Sequence, residues 1–190
     1  MEFFNLFATP VAIFEHPDYK SINEEILSYP ELQNLSNDFR QNVFLKKDSI
    51  PVLSKLHNWL LKCTAEYAHT CFGIEYQTNY FEVVSGTINN RFNGSHVPFH
   101  NHRWSHITTT YYIQTPENCG NIRIIDPRTG LGWVSIDRKA HYNQFNHKPK
   151  EGQLIMFPSW VIHNVDENRS GNDRIALTSD LKLVDSFNLN

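Results

Sequence analysis

Two hydrophobic periods divide this chain. In the stretch that ends at Gly73 apolar positions recur at steps of three and four, and beyond it they alternate with polar ones. Leu53, Leu56, Leu60, Cys63, Tyr67 and Cys71 form the stripe of a long helix, which Asp48 or Ser49 can cap and Gly73 ends. Ahead of it, Phe3 to Phe14 reads as a strand for a sheet edge, punctuated by Pro10. A short helix opens at Ser21, with Glu24 as its capping-box partner and Pro30 as its end. The weakly patterned stretch Glu31 to Lys47 reads as a loop that can shape a substrate site.

Short segments rich in β-branched and aromatic residues follow, separated by Gly, Pro and Asn. They are Tyr80 to Phe92, Ile107 to Gln114, Asn121 to Ile125, Gly132 to Ile136, Gln153 to Phe157, Trp160 to Val165 and Arg174 to Val184. Their spacing predicts a mainly β fold with flanking helices, two packed antiparallel sheets in a sandwich or jelly roll. One domain of 190 residues is expected, with 1–78 as N-terminal strand and supporting helices and 79–190 as the jelly-roll core.

Composition narrows the function classes. A net charge of −3 and scattered basic residues give no field for a nucleic-acid backbone. No apolar run is long enough to cross a bilayer, and the chain does not open on a secretory leader. The odd count of 3 cysteines suggests reduced thiols and a cytoplasmic location, with Cys63 and Cys71 packed on the helix stripe.

The candidate chemistry is concentrated in histidine. Of 10 histidines, His96, His100, His102 and His106 fall within one short stretch. If that stretch is extended, His100 and His102 share a face ~6–7 Å apart along the strand. Taken alone, His-x-His is a weak signal that a His-rich surface loop also explains. A third imidazole comes from His163, where the apolar run Gln153 to Phe157 turns at Pro158; in a jelly roll this late segment can lie beside the first, so His100, His102 and His163 are candidate ligands for one metal. Arg174 and Thr178, an even step apart on a strand, can jointly hold a carboxylate. A surface salt bridge of Arg174 with Asp173 or Asp180 is the plainer alternative.

The order of these motifs carries a resemblance. His100-x-His102, Tyr111-Tyr112-Ile113-Gln114, Gly120 to Arg128, Gly152 to His163 with its Phe-Pro-Ser-Trp, and Asn168 to Ile175 together resemble the iron(II)- and 2-oxoglutarate-dependent oxygenases. Within them the chain is most similar to a small family of hydroxylase-like proteins of bacteria and phages, and Leu6 to Val11 matches that family's start.

The resemblance implies a double-stranded β-helix with Fe(II), 2-oxoglutarate and O₂ as cofactor and co-substrates. It implies a hydroxylated small-molecule or peptide substrate and release of succinate and CO₂. His100 and His163 would bind iron. The wider superfamily has Asp or Glu two positions after the first histidine, and here that position is His102, so either His102 is the third ligand or water completes the set. Arg174 would pair with the distal carboxylate of 2-oxoglutarate, Tyr112 and Thr178 would supply hydroxyl partners, and Ile122 would line the pocket. No catalytic residue beyond the metal ligands is implied. Lysine would poorly replace Arg174, whose planar fork meets a carboxylate bidentately.

Other readings stay open from the residues. A three-histidine iron site also occurs in cupin-type thiol dioxygenases, which use no 2-oxoglutarate, and a jelly roll can be a non-catalytic binding protein. His96 and His106 are second-layer or rim residues, and Trp104 and Trp160 are entrance walls or core. Phe157 to Ser159 is expected to serve the turn that aims His163, and Arg128 to form a turn salt bridge with Asp126. His141 and His147 are expected to be solvated in a polar loop, Thr129 to Pro149, that can also shape the substrate site.

Overall fold

The computed structural model describes residues 8–33, 42–73, 81–126 and 144–184. The alternation of the second half becomes two antiparallel sheets. The larger has strand order β1-β7-β4-β9-β2, built from β1 (Ala12–Glu15), β2 (Phe81–Arg91), β4 (Ile107–Gln114), β7 (Gln153–Pro158) and β9 (Arg174–Leu183). The smaller has order β3-β8-β5-β6, from β3 (Val97–His100), β5 (Ile122–Ile125), β6 (Gln144–His147) and β8 (His163–Val165). This is the expected mainly β architecture of the jelly roll.

The N-terminal half supports the larger sheet. Helices α1 (Tyr19–Leu27), α2 (Pro30–Gln33) and α3 (Pro51–Phe72) precede β2. On α3, Leu53, Leu56, Leu60, Cys63 and Tyr67 are buried in one cluster with Ile107, Tyr111, Ile113, Leu154, Met156, Ile175, Leu177 and Leu181 from the sheet. A second cluster, Tyr112, Ile122, Ile124, Ile155, Phe157, Val161 and Ala176, lies between the two sheets. Alternate residues of β4 and β9 therefore face different cores.

Local chemistry moved several boundaries. Helix α1 starts two residues before Ser21, behind Asp18, whose backbone N–H donates to Nδ1 of His16 at 3.1 Å; Ser21 is an interior position and caps nothing. Pro30 opens α2 as well as following α1, because a proline lacks only an N–H that a first turn leaves unpaired. By the same logic α3 begins at Pro51 behind Ile50, neither Asp48 nor Ser49 being its cap; Ser49 instead donates through Oγ to Lys46 O. Gly73 ends α3 in the left-handed conformation, φ 67°, as its position predicted.

The expected loop Glu31 to Lys47 is partly structured. It holds the end of α2 and a 3₁₀ turn, Val43–Lys46, capped by Asn42, whose Oδ1 accepts from Phe44 N. Leu32, Val43 and Phe44 are buried there, a few apolar anchors in a polar stretch without a period. The strand expected from Phe3 is seen as Ala12–Glu15, at a sheet edge against β7; Phe3 to Phe7 lie outside the described residues. Trp160 to Val165 shortens to β8, since Pro158 to Ile162 turn with Val161 N donating to Pro158 O. Gly132 to Ile136, Arg128 and His141 lie outside the described residues.

Strand β6 was not expected. It places His147 opposite Ile122, 6.2 Å from the ring of Tyr112, so His147 is half-buried and not solvated; burial lowers its pKa. Gly152 enters β7 with φ 79°, its N–H donating to Tyr112 O and its carbonyl accepting from His16 N. A side chain there would run into the ring of Tyr19, so both conformation and space call for glycine.

Candidate metal centre

Three strand ends meet at the histidines. His100 closes β3 directly opposite His163, which opens β8, and His163 also faces Ile124 of β5. His102 follows in the turn beyond β3 and is not a strand residue. Its position comes from Ser159, whose carbonyl accepts the His102 N–H at 2.9 Å. The ring centroids are 5.2 Å apart for His100 and His102, 4.2 Å for His100 and His163, and 5.3 Å for His102 and His163.

One nitrogen of each ring lies within 4.8 Å of the other two. That is slightly more than twice a ~2.1 Å metal–nitrogen bond, so small ring rotations bring all three onto one ion. The tautomers agree with this. Nδ1 of His100 lies 2.8 Å from Pro98 O, Nδ1 of His163 lies 3.0 Å from Val161 O, and Nδ1 of His102 lies 2.9 Å from Asp180 Oδ1. A carbonyl or carboxylate oxygen only accepts, so Nδ1 carries the hydrogen in each ring and Nε2 is left with its lone pair.

Electrostatics keeps the rings ready for a cation. Burial lowers the pKa of His163 to about 4, with His100 and His102 adding to the effect and the Val161 carbonyl and Asp180 opposing it. Burial also lowers that of His100, against the raising effect of the Pro98 carbonyl. Neutral imidazoles are the form that ligates, so His100 and His163 need displace no proton near neutral pH.

Along the inner wall from the histidines, β9 presents Asp180, Thr178, Ala176 and Arg174, and β4 presents Thr108, Thr110 and Tyr112 opposite them. Arg174 is 7% exposed, and its Nε has no hydrogen-bond partner. Among the described residues it makes no salt bridge with Asp173 or Asp180; Asp180 is engaged with His102 instead. The surface alternative is therefore wrong, because the alternation of β9 turns this guanidinium inward. Burial lowers its pKa, and the nearby Tyr112 counters that. Tyr112 is itself buried, which pushes its pKa up. Ile122 is buried in the cluster with Tyr112 and Ala176, and Thr178 Oγ1 accepts from Asn89 Nδ2 at 3.3 Å.

Several residues acquire roles that one sequence did not reveal. Arg91 is the register partner of Arg174, on the same face, and its Nε is likewise buried without a partner. Asn168 ties the two strand ends: its Nδ2 donates to Arg91 O and to Asn172 O. Ser159 does more than turn the chain, since its Oγ joins Ser105 and Thr108 in a hydroxyl chain ending on Asp180. A period of two from Arg174 reaches both Thr178 and Asp180, and that was the available signal for Asp180.

His106 is structural: its Nδ1 accepts from Leu183 N and its N–H donates to Leu181 O, joining β4 to the end of β9. His96 is exposed. Trp104 and Trp160 are 85% and 52% exposed, which removes core packing for both. Cys63 is a packed thiol, its pKa pushed up to about 12 chiefly by burial.

Residues 88–180, which span the three histidines, Arg174, Thr178 and Asp180, match the model of the family described as "Putative 2OG-Fe(II) oxygenase". Over that segment the chain matches the 2OG-Fe(II) oxygenases. Solved structures share the fold. HygX from Streptomyces hygroscopicus, with nickel and 2-oxoglutarate bound, is similar at a TM-score of 0.63 and 10% identity over 92% of this chain and 82% of that one. A Pseudomonas putida prolyl-4-hydroxylase gives 0.58 and 13% over 94% and 87%. An oxidoreductase of the 2OG-Fe(II) oxygenase family from Burkholderia pseudomallei gives 0.52 and 14%, over 70% of this chain and 59% of that one. No curated protein matches the chain. The cofactors of these oxygenases, Fe(II) with 2-oxoglutarate and O₂, fit a site of three convergent imidazoles beside a buried arginine whose Nε has no hydrogen-bond partner. No described helix is long and apolar enough to cross a membrane.

Proposed function

We propose that this chain is an oxygenase that hydroxylates a small-molecule or peptide substrate, with His100, His102 and His163 holding iron through Nε2 and Arg174 holding the distal carboxylate of 2-oxoglutarate. The carrying observation is the agreement of three tautomers: each Nδ1 is spent on an acceptor, so three lone pairs are left for one cation. Bound iron(II) would supply the redox chemistry that couples O₂ and 2-oxoglutarate to C–H oxidation, yielding succinate, CO₂ and an alcohol.

The chain's own groups bind, orient and shield. Arg174 and Arg91 present two guanidiniums side by side, an arrangement whose mutual repulsion is relieved by an anion between them. Tyr112 and Thr178 offer hydroxyls to the same carboxylate, and Ile122 closes the apolar side of the pocket. The wall of Ile155, Phe157 and Val161 keeps water from the imidazoles. The single domain suggested by the sequence, its soluble cytoplasmic setting and a substrate that is not a nucleic acid complete the reading.

Three imidazoles alone would also suit a thiol dioxygenase, and Arg174 favours the 2-oxoglutarate reading. The test is anaerobic addition of Fe(II) and 2-oxoglutarate, followed by O₂ and a substrate library. The expected result is a weak visible charge-transfer band, succinate formation and a product heavier by one oxygen. Thiol-dependent O₂ uptake indifferent to 2-oxoglutarate would sink the proposal. His163→Ala should lower metal affinity on the order of 100-fold or more, a share of the total binding energy of a few-ligand site.

A further inference from the structure

Position 102 raises a question of charge. Two imidazoles and a carboxylate leave a divalent ion with one net positive charge; three neutral imidazoles leave two. The missing carboxylate is close by. Asp180 places Oδ1 at 2.9 Å and Oδ2 at 3.0 Å from Nδ1 of His102, and the two side chains are only 16% and 18% exposed.

We infer that Asp180 is the charge-bearing positioning residue of the metal centre, acting on the ion through His102. The inference rests on the three-histidine reading above. The other two ligand rings lean on backbone carbonyls, which are neutral dipoles. His102 alone leans on a carboxylate, which locks its tautomer and orientation and makes its Nε2 the strongest donor of the three. The carboxylate thus stands one imidazole behind the ligand position.

Asp180 is itself held for this task. It sits on the inner face of β9, in register with Thr108 of β4, whose Oγ1 donates to Oδ1 at 2.9 Å. Thr108 has one hydroxyl hydrogen and spends it there, so Ser159, 2.9 Å away, must donate to Thr108. Ser105 in turn donates to Ser159 at 2.9 Å. Thr108 and Ser159 are fully buried, so every link in this chain points its dipole toward the carboxylate. The same Ser159 holds the His102 backbone through its carbonyl, which couples the ligand and the carboxylate's support in one residue.

Calorimetric titration of Ni(II) into the apo protein tests this without turnover. Asp180→Asn keeps size and an acceptor oxygen while removing the charge; it should weaken Ni(II) binding 10–100-fold. In a His102→Asp background, where a carboxylate faces the ion directly, the same change should cost less than about threefold, since the path through His102 is gone. Equal cost in both backgrounds would show a merely structural role and overturn the inference. So would Asp180→Asn binding Ni(II) like the parent while His163→Ala has lost it. If His163→Ala also binds like the parent, the three-histidine reading fails first. Should Asp180→Asn not fold, Thr108→Val leaves the carboxylate in place but removes its buried donor; several-fold weaker binding supports the inference, and unchanged binding overturns it. ¹⁵N spectra of the apo protein should show His102 protonated at Nδ1 in the parent and a tautomer mixture in Asp180→Asn.

Discussion

The two faces of the larger sheet are made by the same strands and do opposite work. On the face toward α3, β4 and β9 contribute Ile107, Tyr111, Ile113, Ile175, Leu177 and Leu181 to an apolar cluster. On the face toward the smaller sheet they contribute Thr108, Thr110, Tyr112, Arg174, Thr178 and Asp180. The first face satisfies its few polar groups internally, as Thr109 does by donating to Ser179 O. The second leaves buried nitrogen without a partner on Arg174 and lone pairs on three imidazoles. Unspent polar capacity in a buried place costs stability, and it is what a ligand can use.

Substitutions on each face should separate these roles. Leu177→Ala, on the helix-facing side, should cost about 2–5 kcal/mol in unfolding free energy, read as a lowered thermal midpoint, with Ni(II) and 2-oxoglutarate affinities within about twofold of the parent. A comparable loss of ligand affinity would show that the faces are not independent. Arg174→Leu should do the reverse: about 1.5–3 kcal/mol of 2-oxoglutarate binding lost, or 10–100-fold in Kd by calorimetry. Its apo protein should be as stable as the parent or more so, because an unpaired buried charge has been replaced by an apolar side chain. A destabilised apo protein would mean that Arg174 serves the fold.

The remaining effect is in pH. His163 in the folded apo protein titrates at about 4, below its ordinary value of 6.5. The unfolded chain therefore binds the extra proton first, and stability falls as pH drops from 6.5 toward 4, by at most about 1.4 kcal/mol per unit for this one group. His163→Gln should flatten the denaturation-midpoint profile of the apo protein in that window and leave it unchanged above pH 7. An unaltered profile would place the acid sensitivity elsewhere, for instance at His16 or His57, which burial also lowers.

Legibility followed periodicity. Helix α3 was readable because its stripe faces one core and its C-terminus needs a left-handed residue, which Gly73 supplies. Strands β4 and β9 were readable from β-branched and aromatic content, although burial on both faces blurs their alternation. Strand β6 was hidden in polar residues, because its side chains are half-buried or exposed and backbone pairing with β5 holds it. The ends of α1 and α3 shifted because Pro and backbone contacts set them, where capping rules favoured nearby Ser and Asp.

The same division holds at the site. Sequence by itself determined which residues have metal-ligating or anion-pairing chemistry, namely His100, His102, His163 and Arg174, since imidazole and guanidinium have few substitutes there. It set His102 apart from His96 and His106 by spacing and resemblance alone, the three being chemically identical and nearly adjacent. The fold supplies the physical reason: Ser159 and Asp180 draw His102 to the site, strand ends bind His106 to Leu181 and Leu183, and His96 faces solvent. Asp180, distant in sequence from His102, enters the site through strand register, and register is set by which hydrophobic faces must be buried together.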